Sequence, residues 1–231
     1  QVPSINELTS GKAKIDSLRP IAIEELLMRQ TISPNHKLLD ETIKNKIVLV
    51  TGGGGSIGSE LCKQIISLNP QKLIILDKSE IQLYKINGFL ENENKSQIFI
   101  KYLLGDAKNK NLLNKILDKY KVQIIFHCAA YKHVPLVENN PLQGIENNVI
   151  TTKILCEASV KNNVEKVILI STDKAVRPTN IMGASKRVSE LIFQAYAKEI
   201  EVGSLIVNNK KAITCFSMVR FGNVLDSSGS V

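Results

Sequence analysis

The sequence predicts a doubly wound α/β fold, in which helices cover both faces of a parallel sheet. Short runs rich in Ile, Val and Leu recur along the chain, and stretches with helical periodicity separate them. No internal repeat or low-complexity block interrupts this alternation. Runs that are apolar on both faces are typical of buried parallel strands, and their alternation with helices favours this architecture.

Six runs are predicted as strands and five stretches between them as helices. The strands are residues 46–50, 72–77, 97–106, 122–130, 166–171 and 211–221. The helices are residues 58–68, 79–92, 110–120, 142–162 and 183–200.

Residues 1–45 are predicted to be a polar lead-in to the main domain, residues 46–231. The lead-in contains one possible helix, residues 21–29, which begins after Pro20. Because this segment lacks an apolar core of its own, we expect it to pack on the main domain.

Composition predicts a cytoplasmic globular protein. The 231 residues, 43% of them hydrophobic, suffice for a buried core. No segment approaches the roughly 18 apolar residues of a membrane span, and the N-terminus has no signal-peptide core. The four cysteines lack metal-binding or disulfide spacing, so no metal site is predicted and the thiols are expected to be free and buried. They are Cys62, Cys128, Cys156 and Cys215.

The net charge of +8 raises the possibility of an anionic partner. The lysines, however, are scattered through Asn- and Lys-rich stretches such as residues 106–121, without aromatics that could stack on bases. A solvated surface is therefore favoured, weak attraction to a membrane surface comes second, and nucleic acid is not predicted.

A glycine-rich stretch, "TGGGGSIGSELCKQI" at residues 51–65, directly follows the first predicted strand and opens a helix. Glycines suit a tight turn against a pyrophosphate, and the helix N-terminus offers N–H groups and a positive dipole end to that anion. The predicted cofactor contacts here are Gly52, Gly55, Ser56, Ile57 and Gly58.

The second strand ends in Asp77, about 20 residues after the glycine motif. A carboxylate at this position accepts hydrogen bonds from the adenosine ribose hydroxyls and repels a 2′-phosphate. NAD is therefore favoured over NADP. Lys78 keeps NADP open as an alternative, because a basic neighbour could accommodate the phosphate.

Two further strand ends carry candidate cofactor contacts. Asp106 and Ala107 follow the third strand, where Asp106 either contacts the adenine amino group or is a solvated turn residue. Ala129, Ala130 and Tyr131 follow the fourth strand, and the small alanines would let the nicotinamide ribose lie against the backbone.

Four blocks of the sequence stand out together: "TGGGGSIGSELCKQI", "HCAAYKHVPLVENNP", "STDKAVRPTNIMGASKR" and "VRFGNVLDSSGSV". They resemble the extended short-chain dehydrogenase/reductase family, whose fold is the Rossmann fold, and within it the nucleotide-sugar 4,6-dehydratases. The sequence is most similar to the membrane-anchored UDP-N-acetylglucosamine 4,6-dehydratases of bacterial polysaccharide biosynthesis and protein N-glycosylation. The resemblance runs from about residue 17 to Val231.

The resemblance also implies a setting. Members of this group carry N-terminal membrane helices and work at the cytoplasmic face of the bacterial inner membrane. They continue at the C-terminus into a substrate-binding region that this chain is expected to lack, and a homo-oligomer is expected. The chain is therefore expected to be a soluble fragment of such a protein.

The resemblance implies an internal redox cycle on a UDP-sugar. Hydride passes from sugar C4 to NAD, water is eliminated across C5 and C6, and the hydride returns to C6. Asp173 is expected to protonate the departing hydroxyl, Lys174 to remove H5, and Lys186 to hold the nicotinamide ribose. Lys132 and Asn223 are the expected sugar-nucleotide contacts.

Most of the superfamily places a tyrosine four residues before the active-site lysine, whereas this chain has Met182 there. Large membrane-bound members of the resembling group also carry methionine, so an active enzyme is expected. Thr172 is the nearest candidate for the C4 proton by analogy, and the group that finally accepts it stays open.

Three other residues are singled out around the predicted site. Ser171 is expected beside the cofactor. Asn148 is expected to brace the active-site strand near the cofactor, the alternative being a helix-surface amide. His133 could be a base, but packing or a backbone hydrogen bond is favoured.

Other functions stay open at this point. A 4-epimerase needs only the C4 redox step, so an Asp-Lys pair after the strand would be idle in it. A C5-inverting dehydratase and a non-catalytic NAD-sensing protein are the remaining alternatives, and retention of Asp173, Lys174 and Lys186 speaks against the last.

Overall fold

The computed structural model of the chain describes residues 33–94 and 97–224. Internal contacts divide the chain into two units, residues 1–36 and residues 37–231. The predicted helix over residues 21–29 lies outside the described residues. The predicted lead-in domain therefore stays a prediction.

A six-stranded sheet, parallel throughout, forms the centre of the second unit in the order β3-β2-β1-β4-β5-β8. All six predicted strands are present, and a two-stranded antiparallel hairpin, β6-β7, adds to them. The strands are β1 (Ile47–Thr51), β2 (Lys72–Asp77), β3 (Phe99–Leu104), β4 (Ile124–His127), β5 (Lys166–Thr172), β6 (Ile206–Val207), β7 (Lys210–Lys211) and β8 (Cys215–Phe221).

Helices connect the strands and lie on both faces of the sheet. They are α1 (His36–Ile43), α2 (Ser56–Ser67), α3 (Glu80–Glu93), α4 (Lys110–Tyr120), α5 (Val134–Asn139), α6 (Pro141–Ile145), α7 (Thr151–Lys161) and α8 (Ile181–Glu201). None of the helices in the described part of the chain is long and apolar enough to cross a membrane.

The helix predicted over residues 142–162 is interrupted. A π-helical turn, Glu146–Ile150, joins α6 to α7, and the short helix α5 before them was not predicted. Helical periodicity in a sequence does not distinguish an α turn from a π turn, whereas such wide turns are frequent at functional sites.

Two apolar clusters confirm that the sheet is buried on both faces. Adjacent residues of β1 alternate between them, as the pleat requires. One cluster includes Leu49, Ile74, Leu113, Leu155 and Phe193, which join the sheet to α4, α7 and α8. The other includes Val48, Leu73, Cys62, Ile65 and Leu90, which join it to α2 and α3.

The edge strands depart from the prediction of two buried faces. β3 and β8 alternate between exposed and half-buried residues, whereas β1 is buried throughout. The cause is position, because each edge strand has one neighbouring strand and less helix cover. The same exposure corrects the cysteine prediction: Cys62 and Cys156 are buried free thiols, but Cys215 on β8 is exposed.

The carboxyl ends of the six parallel strands meet along one edge of the sheet. The chain runs outward from β1 to β3 on one side and from β4 to β8 on the other. The strand order therefore reverses between β1 and β4. Ligands of doubly wound sheets bind at such a reversal, beyond the carboxyl ends of the strands.

Candidate functional site

The loop after β1 requires glycine at its closest approaches. Gly52 has φ +67°, and a Cβ there would lie 2.7 Å from the backbone of Ala129. A Cβ on Gly58 would lie 2.1 Å from the Gly52 carbonyl oxygen. The loop is therefore held against both the segment after β4 and the first turn of α2, and only glycine fits at these two positions.

The start of α2 is suited to an anion. Gly55 occupies the N-cap position in an extended conformation, and no side chain caps the helix. Ser56 and Ile57 are the first two residues of this 12-residue helix. Backbone N–H groups and the positive end of the helix dipole face this position, the arrangement that binds phosphate in glycine-loop proteins.

Asp77 ends β2 and is tied to the glycine loop. Its Oδ2 accepts a hydrogen bond of 2.9 Å from the Gly54 N–H, and its Oδ1 accepts one of 2.9 Å from the Ser79 N–H. An ionised carboxylate has about four lone-pair positions, so both oxygens keep capacity for ligand hydroxyls. This placement fits the role predicted for Asp77.

Lys78 contacts the segment after β4. Its Nζ donates to Tyr131 Oη and to Asn147 Oδ1, both at 2.7 Å, and lies 4.0 Å from the centre of the Tyr131 ring. Because β1 lies between β2 and β4 in the sheet, this bridge passes over the end of β1. Two predicted cofactor residues, Lys78 and Tyr131, are thus in contact with each other.

Asn148, in the π turn, is a buried junction rather than a surface amide. Its side chain accepts from the Tyr131 N–H at 2.8 Å and donates to the Tyr131 carbonyl at 3.1 Å and to Ser185 Oγ at 2.9 Å. Its backbone carbonyl accepts from the hydroxyls of Thr152 and Ser189. Asn148 therefore braces the segment after β4 against α8, and its expected place near the cofactor stays a prediction.

His127, at the end of β4, is a buried neutral imidazole. Thr152 Oγ1 donates to the Asn148 carbonyl at 2.6 Å, so its lone pair is left for His127 Nε2–H at 3.3 Å. Nδ1 then accepts from the Thr51 hydroxyl at 2.7 Å. Burial, helped by the charge of Lys186, lowers the pKa of His127 to about 3.

Because His127 is buried in its neutral form, we expect the free energy of unfolding to fall on mild acidification. The folded state takes up the proton only near pH 3, whereas the unfolded state takes it up near the ordinary pKa of 6.5. Between these values the unfolded state holds more protons, so the free energy of unfolding falls as the pH falls, by up to about 1.4 kcal/mol per pH unit. In a His127→Gln variant, the free energy of unfolding measured in urea should depend less on pH, because this contribution is absent.

The interval between pH 6 and pH 5 isolates the histidine, because it lies above the ordinary range of carboxylate titration. His36 and His133 are present in both proteins and cancel in the comparison. Equal slopes for the parent chain and the His127→Gln variant would contradict a buried neutral imidazole.

The end of β5 brings four predicted residues together. Thr172 Oγ1 donates to Asp173 Oδ1 at 2.9 Å, and Lys174 Nζ lies 3.3 Å from the same oxygen. Lys174 Nζ also donates to Asn223 Oδ1 at 2.9 Å, which connects the turn after β5 to the segment after β8. A proton on the Thr172 hydroxyl is thus within hydrogen-bond reach of a carboxylate.

Asp173 is ionised in this arrangement. The hydrogen bond from Thr172 lowers the pKa of Asp173, the contacts with Lys174 lower it further, and slight burial opposes them. An ionised carboxylate accepts protons. Asp173 can therefore act as the predicted acid only after it has received a proton.

Lys186 and Met182 are both buried on α8. Lys186 Nζ donates to the Ile170 carbonyl at 2.7 Å. Burial lowers the pKa of Lys186 to about 8, although Cys128 and Glu190 act in the opposite direction. Met182 is 3% exposed, and its thioether offers no group for proton transfer.

Gly183 explains how α8 approaches the turn after β5. A Cβ at this position would lie 2.3 Å from the Lys174 carbonyl oxygen. The first turn of α8, which contains Met182, therefore packs directly on the backbone of the turn after β5.

Several predicted residues lie away from this cluster. Asp106 Oδ1 accepts from the Lys108 N–H at 2.8 Å, which is the turn arrangement left open above, while Ala107 is buried. Lys132 and His133 are exposed on the segment after β4. The packing expected for the His133 ring is wrong, because this residue is the exposed N-cap of α5, where its carbonyl accepts from the Val137 N–H.

Sequence reasoning overlooked the buried polar groups His127, Thr51 and Glu190. Thr51 and His127 end otherwise apolar strands, where a polar residue was the available signal, whereas Glu190 lies in a polar stretch of α8 that carries no such signal. Glu190 follows Lys186 by one helical turn, so both project from the same face of α8.

Comparison with known proteins places the chain in a family. Residues 48–231 match the family described as polysaccharide biosynthesis protein. The chain is 38% identical to the capsular polysaccharide biosynthesis protein CapD of Staphylococcus aureus, over 100% of this chain and 37% of that protein. It is 35% identical to a UDP-N-acetylglucosamine 4,6-dehydratase (inverting) of Campylobacter jejuni, over 80% of this chain and 51% of that protein. Proteins named UDP-glucose 4-epimerase also match.

A solved structure supports the same placement. The dTDP-glucose 4,6-dehydratase DesIV of Streptomyces venezuelae, with NAD bound, is 26% identical and superposes with a TM-score of 0.57, over 66% of this chain and 52% of that one. The chain spans between about a third and a half of the length of the relatives described here. The family match, the parallel sheet and the glycine loop agree, and the chain belongs to the polysaccharide biosynthesis protein family of extended short-chain dehydrogenases/reductases.

Proposed function

We propose that the chain carries the cofactor-binding and proton-transfer residues of an NAD-dependent UDP-sugar 4,6-dehydratase. The proposed substrate is UDP-N-acetylglucosamine, and the proposed product is its 4-keto-6-deoxy derivative. The name of the Campylobacter jejuni relative supports the substrate, and the family supports a place in bacterial glycan biosynthesis.

One observation carries the proposal: the Thr172–Asp173–Lys174 cluster at the carboxyl end of β5. A hydroxyl, an ionised carboxylate and an amine share hydrogen bonds within 3.3 Å. A 4-epimerase moves one proton at C4 and has no use for an additional acid and base. A dehydratase needs a base at C4, a base at C5 and an acid at C6, and this cluster contains three such groups.

The residues present fit a dinucleotide cofactor. The glycines at positions 52 and 58 leave no room for a Cβ, α2 presents an uncapped N-terminus, and the Asp77 carboxylate lies beside the loop. DesIV, which contains bound NAD, supports the choice of this cofactor. When bound, NAD supplies the hydride acceptor at C4 and the hydride donor at C6.

Replacement of Asp77 by Ala should weaken NAD binding by roughly 1–3 kcal/mol, the usual cost of leaving polar partners unmade. The parent protein should bind NAD far more tightly than NADP, because a 2′-phosphate would face the carboxylate. Calorimetric titration with both dinucleotides measures the two effects. Ser79→Ala, which keeps the Ser79 N–H bond to Asp77, is the control. Equal affinity for NAD and NADP in the parent protein would contradict the role of Asp77.

The first chemical step needs a base for the C4 hydroxyl proton. Thr172 accepts that proton and passes its own along the 2.9 Å hydrogen bond to the ionised Asp173. The carboxylate is neutralised as the C4 carbonyl forms. This relay needs no tyrosine at position 182.

The second step uses the proton that Asp173 has received. Lys174 can remove H5 only in its unprotonated form, and Asp173 protonates the departing C6 hydroxyl, which leaves as water. With the hydride that the bound cofactor would supply at C6, the Lys174 ammonium would give its proton to C5. Asp173 and Lys174 thereby recover their starting states, and the net change is the loss of one water from the sugar.

Lys186 and Lys132 complete the proposed site. The buried Lys186 keeps two N–H donors besides the one bound to Ile170, and we assign them to the nicotinamide ribose. Ser171, Asn148, Ala129, Ala130 and Asp106 remain proposed cofactor neighbours, and Lys132 and Asn223 remain proposed sugar-nucleotide contacts.

The decisive experiment is incubation of the protein at its full natural length with NAD and UDP-N-acetylglucosamine. Mass spectrometry should find a product lighter than the substrate by one water, and NMR of the product reports whether C5 is inverted. A product of unchanged mass with inverted C4 would favour the epimerase and contradict the dehydratase. An unchanged substrate would contradict both.

A further inference from the structure

Glu190, on α8, has a buried carboxylate that four donor groups surround. Its side chain has 0% exposed surface. Oε1 accepts from Ser171 Oγ at 2.7 Å and from Arg220 Nε at 2.8 Å. Oε2 accepts from Arg220 Nη2 at 2.6 Å and from Arg187 Nη1 at 2.9 Å. Each oxygen therefore has two partners.

These contacts hold the carboxylate in its charged state. Burial opposes ionisation, but the hydrogen bonds from Arg220, Ser171 and Arg187 outweigh it, and the pKa of Glu190 falls to about 2. A two-pronged arginine contact of this kind fixes direction as well as distance. Glu190 is thus both charged and geometrically fixed across the neutral range.

The network joins three elements at the reactive edge of the sheet. Ser171 on β5 and Arg220 on β8 are register partners, and Glu190 reaches both from α8. Lys186 lies one helical turn before Glu190 on the same helix. A single side chain therefore fixes the ends of two strands and the helix that carries the buried lysine.

Both strands continue from this network into the reactive cluster. Thr172, Asp173 and Lys174 directly follow Ser171, and Asn223 lies three residues beyond Arg220. Lys174 Nζ donates to Asn223 Oδ1 across the two strands. A shift of β8 against β5 would therefore change this contact.

We propose that Glu190 is a positioning residue, which aligns the ends of β5 and β8 so that Lys174 keeps its place between Asp173 and Asn223. The proposal rests on the function proposed above. It concerns residues that hold the reactive groups, and Glu190 itself touches neither substrate nor cofactor.

The test is Glu190→Gln, which preserves size and removes the charge. The amide cannot accept all four hydrogen bonds, because its NH₂ group faces a donor. Turnover per NAD-binding site should fall on the order of 10- to 100-fold, the scale of a misplacement of about 1 Å. The affinity for NAD should stay within about threefold, because the Asp77 side of the cofactor site is untouched. A loss of stability alone would lower the number of sites and leave turnover per site unchanged, which would overturn the proposal.

Glu165→Gln is the matched control. Glu165 precedes β5 at the opposite edge of the sheet, where it pairs with Lys46 at 2.7 Å and accepts from Gln123 at 2.8 Å. The same chemical change there should leave turnover per site unchanged. An equal loss in both variants would reduce the effect to general loosening of the sheet and overturn the proposal.

The double variant Glu190→Gln, Arg220→Gln tests the route through Arg220. Two changes in one network combine less than multiplicatively, so the double variant should turn over no more slowly than the slower single variant. Multiplicative losses would show that the two residues act independently, against the proposal.

A measurement without substrate separates this proposal from the proposed function. In the NMR spectrum of this chain, Glu190→Gln should shift the amide signals of Thr172, Asp173 and Lys174, and Glu165→Gln should not. Unshifted signals would overturn the positioning role even in an active enzyme. Shifted signals in a protein that converts no UDP-sugar would uphold the positioning role and reject the proposed reaction.

Discussion

Replacing Asp173 by Asn is expected to reduce formation of the 4-keto-6-deoxy sugar at least about 100-fold while NAD remains bound. The amide can still accept the Thr172 hydrogen bond, but it cannot store the proton that the relay delivers. The departing C6 hydroxyl then has no acid. Mass spectrometry of the product measures the loss of turnover, and calorimetric titration with NAD measures whether the cofactor still binds.

Lys174→Met should be equally damaging, since it keeps the length of the side chain and removes the amine that takes H5. Asp118→Asn is the matched control for Asp173→Asn. It alters another exposed Asp-Lys pair, in which Asp118 lies 2.6 Å from Lys121, away from the carboxyl ends of the strands. It should leave turnover unchanged. Wild-type turnover in Asp173→Asn or Lys174→Met would remove that residue from the mechanism.

The second large effect is expected at Thr172. Thr172→Val is nearly isosteric but lacks the hydroxyl that donates to Asp173, so turnover should fall on the order of 100-fold. Met182→Ala should change packing on α8 and leave turnover within about an order of magnitude, because Met182 only fills buried space. Steady-state rates for the two variants, normalised to NAD-binding sites, give the comparison.

Met182→Tyr completes this comparison. A phenol helps only where its surroundings set its pKa and aim it at the sugar, so no large gain is expected. A variant many times faster than the parent would mean that methionine is a tolerated loss. Normal turnover in Thr172→Val would reject the relay and point to Lys186 or a bound water as the base.

Much of the fold could be read from the sequence, because local and long-range preferences agree there. The central strands carry unbroken Ile, Val and Leu runs, and β1 and β2 lie where those runs predict. The edge strands were less predictable, since a run such as residues 97–106 does not reveal whether a neighbour will cover it. The π turn at Glu146–Ile150 could not be predicted for a different reason, because helical periodicity in the sequence does not distinguish it from an α turn.

The candidate site, too, could be predicted only in part. Spacing and residue type indicated the glycine loop and Asp77, and the resemblance supplied roles for Asp173 and Lys174. The hydrogen bond from Thr172 to Asp173 could not be predicted, because it depends on the turn that follows β5. Glu190 was missed because two of its three partner residues, Ser171 and Arg220, lie on other elements, and the local sequence does not indicate them.

The strand order also fixes a distance across the candidate site. Asp77 ends β2 and Thr172 ends β5, and in the order β2-β1-β4-β5 three strand intervals separate them. Adjacent strands lie about 4.8 Å apart, so the sheet alone separates the two ends by roughly 14 Å. Backbone hydrogen bonds set this span, so changes of side chain or loop length elsewhere leave it unaltered. A molecule that contacts both ends must therefore lie extended along this edge of the sheet. The site thus requires a ligand of sufficient length, whatever its individual side-chain contacts.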